Sequence, residues 1–456
     1  MKYKCSNYIT ASDIINEDAG QEDKKRLILS TRSGKNIVIK EAAYQDLVHS
    51  RLENFDESTM AYFIASSMVV PENEKEFQFV IQENEANNIN TLGMVIHTSA
   101  NCQLGCSYCG QQHSKKNIPQ DVKQRIFTYI TNKLKTGKFK FVFVTWHGGE
   151  PLMSLSDLRL MSKEIIKICQ EFNVAYLSKM ITNGLSLKPS IFNELFHELK
   201  IIDFQITIDG PKEFHDNRRF TKEGQLGTFD IILKNILGIC ASPTYPVYER
   251  PIGIRINIDK TNGSYIPGFI DLLAENKLHD KIQINFRPVE NYVNNKFKDS
   301  NGFSKEEYAQ VEIDLLLHTL KAGFSVDSVL PERKYDACMA VLKDHIALDI
   351  FGNVFPCYNF AYTKHLLEQE NKIGNLLFDE ETFNNDVPLR KWYSTLETER
   401  EECFRCNMLP VCGGYCPLKW MEGEIACPSY RYNISERLVL NYLFNKTDIK
   451  ELLNQH

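Results

Sequence analysis

The sequence predicts an α/β protein: a partial (β/α)6 barrel set between a small N-terminal α+β unit and a cysteine-rich C-terminal domain. Three observations predict it. From Leu92 to about Leu320, strand-like apolar runs alternate with amphipathic helical stretches six times, and repeated βα units imply a parallel sheet with right-handed crossovers. Six repeats are too few for a closed eight-stranded barrel. A loop carrying Cys102, Cys106 and Cys109 follows the first of these runs, and seven more cysteines crowd the stretch from Cys338 to Cys427.

Bulk properties narrow the field. At 456 residues the chain exceeds one ordinary core, so two or three domains are expected. With 43% hydrophobic and 25% charged residues it has the balance of a soluble globular protein. A net charge of -6 argues against a nucleic-acid partner held mainly by phosphate contacts. The start, Met1-Lys-Tyr-Lys-Cys-Ser-Asn7, has no apolar leader, and no later run approaches eighteen apolar residues. No membrane partner is expected, and the expected setting is cytoplasmic. Cytosolic thiols stay reduced, so thirteen cysteines there, an odd number, point to metal rather than disulfides.

Taken in order, residues 1–88 form the N-terminal unit. Arg26 to Thr31 and Asn36 to Lys40 read as strands of a hairpin turning at Arg32-Ser-Gly-Lys35, where glycine supplies a positive φ. Amphipathic segments Ala42 to Leu52 and Ser58 to Met68 follow, and Glu72 to Asn90 reads as a connection. The barrel spans residues 89–325. Its strands are expected at Leu92 to His97, Phe139 to Trp146, Ala175 to Ile181, Ile201 to Ile208, Ile252 to Ile258 and Ile282 to Phe286. Its helices are expected at Pro119 to Leu134, Ser156 to Phe172, Ser190 to Leu199, Thr228 to Cys240, Ile266 to Asn276 and Ser304 to Leu320. Residues 326–456 form the cysteine-rich domain, closed by an amphipathic helix over Ser435 to Leu453. Cys5, Cys169 and Cys240 read as structural.

The loop Asn101-Cys-Gln-Leu-Gly-Cys-Ser-Tyr-Cys-Gly-Gln-Gln-His113 can wrap three thiolates around one inorganic centre just past a strand's carboxyl end, where α/β folds keep their chemistry. On a four-iron cluster, three thiolates leave one iron open to a small chelating molecule. The alternatives are a zinc ion completed by His113, or a buried cysteine cluster. The Cys-x3-Cys-x2-Cys spacing, with Tyr108 just before the last cysteine, resembles the signature loop of the radical S-adenosylmethionine (SAM) enzymes. That resemblance implies an open iron that chelates the methionine part of SAM, and a reduced cluster that cleaves SAM to the 5′-deoxyadenosyl radical.

Further motifs extend the resemblance. His147-Gly148-Gly149-Glu150-Pro151 ends the second strand and matches the family's Gly-Gly-Glu-Pro motif, implying that Glu150 meets the SAM ammonium; its glycines allow close backbone approach to a ligand. Asn183, Thr207 and Asp209 sit at the next two strand ends, at the rim where a ribose or methionine carboxylate would lie. Arg219 falls at the family's His-Asp-x-x-Arg position, which implies pairing with the SAM carboxylate; a solvated basic pair with Arg218 is the alternative.

The C-terminal order Gly352-Asn-Val-Phe-Pro-Cys357, then Cys403-x2-Cys406-x5-Cys412-x3-Cys416, then Cys427, is similar to the SPASM extension of that family. Zinc knuckles are the alternative. The resemblance implies two auxiliary [4Fe-4S] clusters, hence three clusters in all. Cys403, Cys406, Cys412 and Cys427 would hold the outer one, and Cys338, Cys357 and Cys416 the inner one. Seven cysteines for two clusters leave one iron of the inner cluster open, or bound by a group such as His345 or Asp344.

The resemblance spans Leu92 to Pro428. It implies a TIM-like partial barrel and an oxidoreductase acting on a ribosomally made precursor peptide; outside that span, the N-terminal hairpin beside a pair of helices looks like the winged-helix element that would take a leader peptide as an added strand, with a small cap packed on the main domain as the alternative. The expected reaction is hydrogen abstraction followed by an oxidative cross-link, of thioether or carbon–carbon cyclophane type, with flavodoxin or ferredoxin as electron donor. Formylglycine formation, as in anaerobic sulfatase maturases, is the rival, but Tyr358 stands where those enzymes carry an aspartate base. A non-catalytic peptide-binding iron–sulfur protein is the other rival.

Overall fold

The structure is a computed structural model, and it describes residues 2–15, 24–87, 90–290, 301–326, 329–363, 371–378 and 383–446. In the N-terminal unit, β1 (Tyr3–Cys5) is antiparallel to β5 (Val69–Pro71), and β2 (Ile9–Ala11), β3 (Lys25–Ser30) and β4 (Asn36–Lys40) form an antiparallel sheet in that order. The hairpin lies where the sequence puts it. Helices Glu41–Val48 and Glu57–Ala65 pack on it through Leu47 and Phe63, and Asp56 caps the second by accepting from the Thr59 N–H. Among the described residues, β4 pairs on one side only.

The barrel strands are β6 (Thr91–His97), β7 (Phe141–His147), β8 (Ala175–Thr182), β9 (Ile201–Thr207), β10 (Ile252–Ile258) and β11 (Ile282–Pro288). They run parallel, each beside its predecessor. A further short helix, Lys212–Arg218, which the sequence pattern does not reveal, follows β9, and the six expected helices are present, each within three residues at either end. The last of them, Lys305–Lys321, opens with a capping box between Ser304 and Glu307. The sheet is larger than the sequence suggests. On the free side of β6 it adds β12 (His345–Leu348), parallel, then β13 (Asn353–Phe355) and β14 (Gly374–Asn375), both antiparallel, making nine strands in an open sheet.

Alternation along each strand sorts side chains to two faces. Val142, Val144 and Trp146 of β7, Met180 of β8, Phe204 and Ile206 of β9 and Ile254 and Ile256 of β10 meet the helices in the main core. Their neighbours therefore point to the concave interior: Thr145 and His147, Lys179 and Ile181, Gln205 and Thr207, Arg255 and Asn257.

Two segments differ from expectation. Residues 72–90 hold a helix, Glu76–Asn87, rather than a bare connection. Phe77, Val80 and Asn84 are its buried stripe at helical spacing. Phe77 stacks against Phe404, ring centroids 4.8 Å apart, within an apolar cluster that includes Tyr8, Cys403, Leu409 and Cys427. Hydrogen bonds reinforce this junction, from Thr31 Oγ1 to the Asn407 carbonyl at 2.6 Å and from Asn407 Nδ2 to the Ile9 carbonyl at 3.1 Å. The closing helix runs Ile434–Lys446, and the remainder of the expected span, 447–453, lies outside the described residues. It sets Leu438 against Leu27 and Leu29 of β3 and ion-pairs Arg437 with Glu312, so it docks on the N-terminal sheet and the helix Lys305–Lys321 rather than on the cysteine-rich domain alone.

Phe77 is 6% exposed. Phe77→Ala should lower stability by about 3 kcal/mol through the cavity it leaves. Hydrogen exchange should quicken together over residues 76–87 and 403–412, and protection retained in the second segment would show that the junction is not shared.

Candidate functional site

The cysteine loop leaves β6 and is strapped down by residues 218–222. The Gly105 N–H donates to the Phe220 carbonyl (2.8 Å), that of Ser107 to the Arg218 carbonyl (2.9 Å), and that of Lys222 to the Gln103 carbonyl (2.9 Å). Lys222 Nζ adds a bond to the Cys102 carbonyl (3.0 Å) and faces His113 Nδ1 at 2.9 Å. An ammonium therefore occupies the nitrogen that His113 would offer to zinc. Burial, then Lys222, pushes His113 down to about 4.

On the other side the loop meets the Gly-Gly-Glu-Pro turn. The Gly149 N–H donates to the Ser99 carbonyl (2.9 Å) and the Glu150 N–H to the Asn101 carbonyl (2.8 Å). A Cβ on Gly148, whose φ is +146°, would lie 2.4 Å from the Ser99 oxygen, and one on Gly149 2.4 Å from the Asn101 oxygen. The close approach that these glycines permit is thus to the root of the cysteine loop, where the sequence suggested a ligand. Pro151 opens the short helix Pro151–Ser154, which Glu150 caps through the Leu152 N–H (3.1 Å).

Glu150 is almost fully buried and ties β7 to β8, accepting from Thr182 Oγ1 (2.7 Å) and the Asn183 N–H (2.7 Å). Burial raises its pKa, and these donors oppose the rise. Asn183 Nδ2 points at Cys102 Sγ, 3.8 Å away.

A second network closes the rim. Tyr108 donates its hydroxyl to Asp209 Oδ2 (2.6 Å) and accepts from Asn257 Nδ2 (3.1 Å) and from Arg219 Nη1. Asp209 Oδ1 also takes the Asn257 N–H (3.1 Å). Arg219 is buried, and Arg218 is buried in an ion pair with Asp259 at 3.1 Å, which overturns the solvated-pair alternative. Thr207 is buried at the end of β9, beside Arg255 in register. Asn257, on which two of these bonds converge, carries no motif; only its place one residue before a strand end hinted at it.

The structure brings Cys102, Cys106 and Cys109 within electrostatic reach of one another, and likewise Cys338, Cys357 and Cys416. Cys403, Cys406, Cys412 and Cys427 line one recess with Trp420 and Arg431. Burial pushes the Cys102, Cys357, Cys403 and Cys412 thiols up to about 12, so they become thiolates only beside a strong positive charge. Cys406 Sγ accepts from Arg431 Nη1 (3.1 Å) and the Met408 N–H (3.4 Å).

Among the described residues no three His, Cys, Asp or Glu side chains converge on the small volume that one metal ion needs. All-thiol sets spread around a recess fit a multi-iron centre. Of the two non-cysteine candidates for the inner set, Asp344 is ion-paired with Lys138, and His345 lays its ring over Gly93. The side chain that senses all three inner thiols is Tyr358. Its ring lies 5.4 Å from that of His147, which in turn is 4.8 Å from His97.

Comparison with known proteins follows this geometry. No protein-family profile matches the chain. It is 24% identical over 409 residues, 79% of this chain and 92% of the relative, to a serine-type anaerobic sulfatase-maturating enzyme of Bacteroides thetaiotaomicron. The structure of anSMEcpe with bound AdoMet and Cp18Cys peptide superposes with a TM-score of 0.58 at 17% identity, covering 80% of this chain and all of that one. Streptococcus suis SuiB bound to precursor peptide SuiA gives 0.49 at 13% identity, covering 94% and 99%. The resemblance to radical SAM peptide maturases that the motifs carry is borne out, and the fold is shared with anSMEcpe.

Gly149→Ala should push the cysteine loop off the turn, lowering the thermal midpoint and the iron retained by about four atoms per chain. Gly268→Ala has open space within a helix and should be neutral or slightly stabilising. Equal iron content in the two variants would show that the turn does not shape the loop.

Proposed function

We propose that this protein is a radical SAM enzyme that acts on a ribosomally made peptide. The observation that carries the reading is the convergence, at neighbouring strand ends, of three thiols, the Glu150 carboxylate and the Tyr108–Asp209–Arg219 network. In this reading Cys102, Cys106 and Cys109 hold a four-iron cluster whose open iron, with SAM bound, supplies a 5′-deoxyadenosyl radical. Glu150 and Arg219 present opposite charges to the two ends of an amino acid, while Asn183, Thr207 and Asp209 offer neutral and anionic acceptors along the rim. Cys403, Cys406, Cys412 and Cys427 would hold an outer auxiliary cluster, and Cys338, Cys357 and Cys416 an inner one with an open or differently bound iron. Electrons would come from a flavodoxin or ferredoxin. Among the described residues no helix is long and apolar enough to cross a membrane.

We favour oxidative cross-linking of the peptide, thioether or carbon–carbon, as the outcome. Tyr358 supports this over formylglycine formation, because burial pushes its hydroxyl up to about 12 and it is a poor substitute for a carboxylate base. The relative from Bacteroides thetaiotaomicron favours formylglycine formation as the second reading.

Anaerobic reconstitution should load about twelve irons with matching sulfide and little zinc. Adding dithionite and SAM should release 5′-deoxyadenosine, and the Cys102, Cys106 and Cys109 triple alanine variant should release none. About four irons with one or two zincs would leave the C-terminal cysteines as a zinc domain, and 5′-deoxyadenosine from the triple variant would end the radical SAM account.

A further inference from the structure

The interior of the barrel carries an unusual charge arrangement one layer below the strand ends. Lys179 of β8 and Arg255 of β10 lie on the concave face, and both are only half-buried. Arg255 spends one N–H on Asn257 Oδ1 (2.9 Å). Among the described residues no carboxylate comes within ion-pairing distance of either side chain. The nearest acid is Asp203, the register partner of Lys179 on β9, which feels that ammonium only through space.

His147, at the end of neighbouring β7, feels both cations. Its Nδ1 is buried with no hydrogen-bond partner, and both nitrogens of the adjoining His97 are equally bare. Buried polar atoms are rarely left unpaired unless something is missing from the site. Burial, followed by the fields of Lys179 and Arg255, holds His147 down at about 4, so near neutral pH it is an uncharged imidazole with a hydrogen bond to give or take. Tyr358, whose ring is tilted against that of His147, also senses Arg255. Two cations, a neutral imidazole and a phenol thus face one space between the cysteine loop and the inner thiols.

From this we propose that Lys179 and Arg255, with His147, form a subsite for a carboxylate of the peptide substrate, placed beside Tyr358. It rests on the reading of the protein as a peptide-modifying enzyme and adds the substrate's charge. Guanidinium and ammonium groups in a half-buried cleft hold a carboxylate through charge-assisted hydrogen bonds, and the bare imidazole nitrogen completes its shell. The carboxylate can belong to an aspartate or glutamate side chain or to a free C-terminus. A neutral or basic residue at that position would leave both cations desolvated without a counter-charge.

The test uses the reconstituted holoenzyme with SAM and three fluorescein-labelled decapeptides of otherwise identical sequence. One has a central glutamate and an amidated end, one a glutamine and an amidated end, and one a glutamine and a free carboxylate. Fluorescence anisotropy should show the first or the third binding about tenfold more tightly than the second, and which of them does so identifies the source of the carboxylate. Lys179→Met and Arg255→Met should each bring that ratio toward one, and Lys179→Arg should restore it. Equal affinities for all three peptides, no binding of any, or a ratio that survives in both methionine variants would overturn the subsite. Release of 5′-deoxyadenosine by the same preparation reports separately on the radical SAM reading.

Discussion

The burial of thiols is the constraint on which the rest of this structure depends. A cysteine sulfur deep in protein is a weak acid, and here burial alone lifts several to about 12. Such sulfurs are stable either as protonated, weakly polar groups or as thiolates compensated by a positively charged centre. Cys169 and Cys240 take the first course, packed in the main core with no partner thiol. Ten of the other eleven are gathered in three groups, and Cys5 stands apart in the N-terminal unit. In the cysteine-rich domain Cys403, Cys406, Cys412 and Cys427 surround a recess, and Tyr8 and Phe77 of the N-terminal unit pack in the same apolar cluster as Cys403 and Cys427. The N-terminal unit and the outer thiol loop are therefore one cooperative body, and what fills the recess acts on the stability of both.

At the barrel rim, residues far apart in sequence are made interdependent by backbone hydrogen bonds. Glu150 is held by groups from β8 while its own N–H holds Asn101, so the carboxylate and the first cysteine of the loop cannot move separately. Tyr108 does the same on the opposite side. Its hydroxyl joins Asp209, Asn257 and Arg219, which come from β9, β10 and the strap over the cysteine loop. A residue that the motif marks as an aromatic beside a cysteine is thus a polar junction. Buried networks of this kind are effective when every member is satisfied, because each donor then fixes the orientation of the next.

Much of this was legible in the sequence. Period-two and period-3.6 patterns located the six barrel strands and the six longer helices, since both types bury a continuous apolar face against the same core, while the seven-residue helix Lys212–Arg218 is too short to show a period. The helix Glu76–Asn87 escaped because its buried stripe is narrow and its ends are polar; it is stabilised by Phe404, more than three hundred residues away, and local pattern cannot report that contact. Strands β12 to β14 escaped because four residues or fewer carry too little periodicity to read. The glycines of the Gly-Gly-Glu-Pro turn were visible as a motif, but their packing against Ser99 and Asn101 depends on which backbone lies alongside. Lys179 and Arg255 looked like the polar half of ordinary alternation. That neither makes an ion pair among the described residues depends on which side chains the neighbouring strands turn to the same face.

Tyr358 draws these strands of reasoning together. In an enzyme that must take a proton from its substrate, a carboxylate beside the inner cluster would be useful, and a neighbouring pair of cations would hold that carboxylate in its ionised form. Here the cations remain and the carboxylate does not. A phenol with a raised pKa adds no negative charge, and among the described residues the carboxylate that feels Lys179 is its register partner Asp203, which makes no ion pair with it. Fields inside a low-dielectric cleft are strong and poorly screened. On the proposed subsite the answering charge comes from what binds, and electrostatic complementarity in the barrel wall is the selective element.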